Sequence, residues 1–156
     1  MKYDGTNWVY VGIEGFSVSF AENESLAFSP SGQPYVAYSD YGSSYDSYKA
    51  TVMTFNGTNW VNVGNAGFSA GGAGYTSLAF SPSGEPYVAF QDWANSERAT
   101  VMKFDGSNWV NVGNAGFSSD TVAFTSLAFS PSGQPYVAYS DYGNSHKATV
   151  MKYDSV

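Results

Sequence analysis

Apolar and polar positions along this chain fall into short blocks that recur. The clearest block is Ser126-Leu-Ala-Phe-Ser-Pro-Ser-Gly-Gln-Pro-Tyr-Val-Ala-Tyr-Ser-Asp141, which occurs almost unchanged at Ser25–Asp40 and again, as SLAFSPSGEPYVAFQD, at Ser77–Asp92. Two runs of β-branched, aromatic and small apolar residues flank Ser-Pro-Ser-Gly-x-Pro, where Pro presets φ and Gly supplies positive φ. The block predicts a β-hairpin. Pro34, Pro86 and Pro135 open the returning strand, where a missing N–H is tolerated. In the last complete repeat the pattern predicts strand A at Ser126–Pro131, strand B at Pro135–Asp141 and strand C at Lys147–Tyr153. Strand D, one step earlier, is predicted at Asn108–Gly113, joined to its strand C by the tight turn Asp105-Gly-Ser-Asn108. Leu127 and Phe129 share one face, yet Ala128 on the other is also apolar. Strands apolar on both faces belong to sheets covered on both sides.

The blocks have a fixed period. Trp8, Trp60 and Trp109 mark equivalent positions 52 and then 49 residues apart, and residues 53–101 share 33 identities in 49 positions with residues 102–150. Three extra residues of the first repeat fall between Asp40 and Lys49. With no shift in composition along the chain, residues 1–156 read as one array, with repeat boundaries near 1–52, 53–101 and 102–150 and with 151–156 opening a further repeat. Four short strands per ~40–50 residues predict an all-β fold of β-propeller blades, four antiparallel strands each and three repeats per chain. A β-sandwich explains neither the period nor the two-sided burial. The stretch SLAFSPSGQPYVAYSD…KATVMKYD resembles a WD40-type blade, whose third strand ends in a hydrophobic-x-aromatic-Asp motif. That family's Gly-His pair is absent, and its Trp-Asp dipeptide is replaced by Tyr3-Asp4, Phe104-Asp105 and Tyr153-Asp154, and by Phe55-Asn56. The resemblance therefore implies the propeller fold but not the family's histidine network. Similar arrays occur on bacterial surfaces, which for a natural chain makes an extracellular or cell-surface placement the expectation.

Three blades do not complete a ring, since propellers typically use four to eight. The chain opens with a strand-D sequence, Asn7–Gly12, and closes with strand C, Lys147–Asp154. The expected partner is therefore the chain itself, with ring closure by oligomerisation: a homodimer gives six blades, and a homotrimer giving nine ranks second. Met1-Lys-Tyr-Asp4 duplicates Met151-Lys-Tyr-Asp154, so one copy is expected to be displaced.

Composition narrows the function. The chain is 18% aromatic but only 12% charged, with a net charge of −7. A scattered handful of basic residues on an acidic chain excludes phosphate backbones and anionic lipid as partners, so neither nucleic acid nor membrane is expected. No cysteine is present, which removes disulfides and thiolate metal sites. No apolar run approaches the ~18 residues of a membrane span.

Most differences between the second and third repeats fall in the B–C and D–A loops, which strand direction places on one face of the disc. That diversified face is the expected binding surface. On it recur Asp40-Tyr41, Asp92-Trp93 and Asp141-Tyr142, a carboxylate beside an aromatic plane, as sugar recognition uses. The competing reading is that each Asp caps its own turn while the ring covers a blade edge. Catalytic chemistry finds little support. Gly67-Phe-Ser-Ala-Gly71 matches a nucleophile pattern by letter but lacks a following helix and a His partner. His146 is the sole histidine and reads as a solvated loop residue, and Glu22 and Glu24 read as solvated charge. Asp40 and Asp46 bracket a loop with some oxygen ligands for calcium but without the spacing of an EF-hand. No cofactor or metal is expected. The sequence thus points to a non-catalytic module, not an enzyme, binding carbohydrate on its variable face. Alternatives are a protein–protein scaffold, or an engineered or excised fragment whose only activity is self-assembly.

Overall fold

The recurring apolar runs form antiparallel strands in the computed structural model, which describes residues 1–42 and 48–154. In chain order these are β1 (Lys2–Tyr3), β2 (Trp8–Val9), β3 (Ala21–Phe28), β4 (Pro34–Asp40), β5 (Lys49–Phe55), β6 (Trp60–Asn62) and β7 (Ala73–Phe80). There follow β8 (Pro86–Asp92), β9 (Arg98–Phe104), β10 (Trp109–Asn111), β11 (Val122–Phe129), β12 (Pro135–Asp141) and β13 (Lys147–Lys152). Two four-stranded sheets, β3-β4-β5-β6 and β7-β8-β9-β10, are followed by a three-stranded one, β11-β12-β13. β1 and β2 pair as a separate hairpin. Strands β3, β7 and β11 lie side by side, so the three sheets stack as successive blades.

The core sits between blades rather than within one sheet. Ala37, Ala50 and Val52 of the first blade pack on Leu78, Val88, Phe90 and Trp109 of the second. Ala89, Ala99 and Val101 of the second pack in the same way on Leu127, Val137 and Tyr139 of the third. This is why the strands are apolar on both faces: small residues on one side of a blade receive large ones from the next. The ends of the stack lack that cover. Leu26, the counterpart of the buried Leu78 and Leu127, is 60% exposed, and Val150, the counterpart of Val52 and Val101, is 63% exposed.

Trp60 and Trp109 each tie their blade to the segment before it. Trp109 Nε1 donates to the Val63 carbonyl at 2.8 Å, and its ring stacks on Phe68 at 4.3 Å. Trp60 Nε1 donates to the Val11 carbonyl at 2.8 Å and stacks on Phe16 at 4.5 Å. Residues 8–16 therefore lie against the first blade much as residues 60–68 lie against the second. Gly64 follows β6 at φ +72°, and a Cβ there would stand 2.8 Å from the Phe104 ring, so glycine is required by both conformation and space.

Strand A begins earlier than the sequence pattern predicts, at Ala21, Ala73 and Val122, and ends at the Phe before Ser-Pro. A bulge explains the difference. Asn23, Tyr75 and Phe124 adopt φ of 57°, 50° and 55°, and the register with strand B shifts across each. The alternation slips by one residue at the bulge, so the first half does not read as part of the same strand. The bulge has a structural use. The Thr76 hydroxyl donates to the Asn23 carbonyl and the Thr125 hydroxyl to the Tyr75 carbonyl, linking neighbouring blades. Beside these bonds, Leu78 N donates to Ser25 Oγ and Leu127 N to Ser77 Oγ, each at 2.9 Å. Strand D is also shorter than predicted, at three residues.

Candidate functional site

The B–C and D–A connections meet on one face, as strand direction requires. Backbone N–H groups of Tyr41, Trp93 and Tyr142 donate to the carbonyls of Phe20, Gly72 and Thr121, at 3.0, 2.9 and 3.1 Å. All three Asp-aromatic pairs thus occupy equivalent places at the top of strand B.

Within each pair the two side chains diverge. Asp92 is buried: Oδ1 accepts from Ala94 N at 3.0 Å, and Oδ2 accepts from Asn95 Nδ2 at 2.9 Å and Thr100 Oγ1 at 2.7 Å. Asp141, also buried, accepts from Asn144 Nδ2 at 2.8 Å and Thr149 Oγ1 at 3.0 Å. The Asn144 bond, joined by that of Thr149, holds the Asp141 carboxyl below its ordinary range. Asp40 accepts from Gly42 N at 3.2 Å. These carboxylates face their own turns, whereas Trp93 and Tyr142 remain 46% and 42% exposed.

Trp93 is the most firmly placed of the exposed rings. Its indole lies flat on Gly72, where a Cβ would come within 2.3 Å of Cε3, and Nε1 donates to Gln91 Oε1 at 3.0 Å. Gly74 in turn makes room for Gln91, whose Nε2 donates to the Val122 carbonyl at 2.6 Å. Tyr48 approaches Trp93 with ring centroids 5.6 Å apart, Tyr41 meets Tyr48 edge-on at 4.7 Å, and Phe20 meets Tyr41 at 6.0 Å. Burial, with the negative fields of Tyr41 and Glu22, raises the Tyr48 phenol above its ordinary range. Glu22, read from the sequence as solvated charge, therefore stands close enough to act on this cluster. At the next junction the counterparts of Tyr48 and Trp93 are Glu97 and Tyr142, and Tyr142 packs on His146 with centroids 4.0 Å apart.

Tyr48 and Gln91 were not picked out by the motif search, and Glu22 was taken as solvated charge. A signal exists in the repeats: where the third carries Tyr142 it has Thr121 and Ala123, and where the second carries the larger Trp93 it has Gly72 and Gly74. Among the described residues no three metal-ligating side chains cluster, and Asp46 lies outside the described residues.

No protein-family model matches the chain, and no curated protein matches it in sequence. Solved structures share its fold. A fucose lectin from Kordia zhangzhouensis, in complex with methyl-fucoside, is similar with a TM-score of 0.55 at 14% identity over 85% of this chain and 93% of the lectin chain. A thermostable family-43 glycoside hydrolase gives a TM-score of 0.55 at 11% identity, over 82% of this chain and 44% of the enzyme. A family PL25 polysaccharide lyase, an ulvan lyase, gives 0.58 at 13% identity, over 88% of this chain and 38% of the enzyme. The chain thus spans nearly all of the lectin but less than half of each enzyme. Its repeated antiparallel blades share the fold of these carbohydrate-active proteins, and nothing here is specific to WD40 repeats. This corrects the expectation of a non-catalytic module that is not an enzyme. Catalytic proteins stand among the similar structures, so the fold gives no ground for excluding catalysis.

Proposed function

We propose that this chain is a carbohydrate-active propeller unit that binds a saccharide on its loop face, at the junction of the first two blades. One observation carries the reading: Trp93 presents a half-exposed indole, already locked by Gly72 beneath it and Gln91 at its nitrogen. A sugar ring stacks its apolar C–H face on such a plane, and a fixed ring loses little conformational freedom on binding. Tyr48 beside the indole and Tyr41 beside Tyr48 supply hydroxyls, and Glu22 adds a negative field to the cluster. At equivalent positions, Tyr41 and Tyr142 are weaker platforms, while Asp40, Asp92 and Asp141 hold the turns that present the rings. Several shallow sites on one assembly reinforce each other through effective concentration. The ring itself is completed by further copies of the chain, two giving six blades and three giving nine as the second arrangement.

Calorimetric titration with fucosides, xylosides and uronate oligosaccharides tests the reading, with chromatography of the same mixtures to detect cleaved products. Saturable binding to at least one class is expected, and Trp93→Ala is expected to weaken it about 10-fold or more, the loss of the stacking plane. Binding that is unchanged in a folded Trp93→Ala protein overturns the assignment of the site.

A further inference from the structure

A cleft of about 390 Å³ opens on the third blade, lined among others by Val101, Val112, Gly113, Phe117, Val137 and Tyr153. Each of these has a counterpart one repeat earlier: Val52, Val63, Gly64, Phe68, Val88 and Phe104. Those counterparts are the residues packed around Trp109. The cleft is therefore the seat of an outer-strand tryptophan, with the Val112 carbonyl placed to accept its indole N–H as the Val63 carbonyl does from Trp109.

We infer that Trp8 of a second copy of the chain fills this cleft, a step that rests on the reading that copies complete the ring. Of the three repeat tryptophans, Trp60 and Trp109 already sit in such seats, while Trp8 is 67% exposed. Its surroundings match the required segment, Asn7-Trp8-Val9 repeating Asn59-Trp60-Val61 and Asn108-Trp109-Val110. Its own chain cannot bring it to the cleft, because Trp60 holds the Val11 carbonyl on the side of the first blade away from the other two.

Carrying over the register Phe55↔Trp60 and Thr54↔Val61 pairs Tyr153 of one copy with Trp8 of the other, and Lys152 with Val9. That edge of β2 is occupied within the chain by β1, where Tyr3 faces Trp8 and Lys2 faces Val9. Tyr3 holds Trp8 at 5.8 Å between centroids, much as Phe55 holds Trp60 at 5.7 Å. Residues 1–4 duplicate residues 151–154, so β1 stands in for β13, and assembly exchanges one for the other. The inner strands offer a matching joint, the Ser126 hydroxyl of one copy accepting from Leu26 N of the other as Ser25 and Ser77 do between blades.

The test uses the full chain, which has no cysteine of its own. Sedimentation is expected to give twice the 16.7 kDa chain mass. Lys152→Cys combined with Val9→Cys is expected to yield a disulfide-linked dimer under oxidation, since facing strand positions lie within disulfide reach. Trp8→Ala is expected to weaken assembly about 30-fold or more with the β-sheet circular dichroism unchanged. Removing residues 2–4 is expected to tighten it, by freeing the edge of β2. An assembled protein in which the cysteine pair stays reduced and Trp8→Ala has no effect overturns the cleft assignment and leaves ring completion by copies standing. A protein that remains monomeric at tens of micromolar overturns both.

Discussion

Trp109→Ala examines the joint on which the stack depends. The substitution removes a buried indole from between Phe68 and Phe104, above Gly64, and deletes the N–H that the Val63 carbonyl accepts at 2.8 Å. Large-to-small changes of this kind cost about 3–5 kcal/mol, because the seat cannot collapse around the void. Trp109→Phe keeps a ring over Phe68 but leaves the carbonyl without its donor, a loss of about 1–3 kcal/mol. Against a total stability of about 5–15 kcal/mol, the alanine variant loses a large fraction and the phenylalanine variant a smaller one. With a urea dependence of about 1–3 kcal/mol per molar, Trp109→Ala lowers the unfolding midpoint by about 2 M. The assay is urea titration followed by far-ultraviolet circular dichroism, so that losing a tryptophan does not remove the probe. Trp8→Ala, at concentrations where the chain is dilute, serves as a control with a cost under about 0.5 kcal/mol, as an exposed ring predicts. If Trp109→Ala and Trp109→Phe cost the same, and both less than about 1 kcal/mol, the tryptophan seat is not what fastens one blade to the next.

Other outcomes follow from the same geometry. Gly72→Ala drives a methyl into the Trp93 indole, so saccharide titration should weaken even though Trp93 is retained, and crystallography of the variant should find the ring displaced. The Asp141 carboxyl is depressed by Asn144, so its contribution to stability is present above its unfolded value and is lost as pH falls through the folded one. Asn144→Ala should therefore move the acid-unfolding midpoint to higher pH. Burial, aided by Asp40, pushes the Tyr38 phenol up to about 12, so stability should decline as pH rises from about 10 to 12, read as thermal melting in that window. Glu24 stands where Thr76 and Thr125 donate to a bulge carbonyl, and a carboxylate cannot donate. Glu24→Thr should restore that bond between copies and tighten assembly several-fold by sedimentation.

Hairpins, period and the two-sided burial were legible because they depend on local chemistry. Pro and Gly fix the A–B turn, and an apolar Ala opposite Leu reports a sheet covered on both faces. The start of strand A was not legible, since the bulge at Tyr75 is held by a hydroxyl from the next blade, fifty residues away in sequence. The same limit applies to the site. Asp92-Trp93 announced a carboxylate beside a ring, but the aim of that carboxylate is set by Thr100 on the following strand. The fixing of the ring is set by Gly72, on the loop that enters the blade. Tyr48 escaped notice because it ends the enlarged loop of the first repeat, where the other repeats have Glu97 and His146.

The bulges on β3, β7 and β11 separate two tasks that a strand residue usually performs together. Spacing between blades is carried by the backbone oxygen, and the side chain has been left to change: Asn23, Tyr75 and Phe124 hold the same left-handed conformation with three different chemistries. Asn is at home there, while Tyr and Phe carry about 1 kcal/mol or more of strain that the surrounding bonds sustain. Around the innermost strands the fold thus provides one interchangeable position per blade. Tyr75 and Phe124 already touch at 4.7 Å, so substitutions at neighbouring bulges act as a pair. A lineage of such arrays can rewrite the row of side chains along β3, β7 and β11 residue by residue while the distance from blade to blade stays constant.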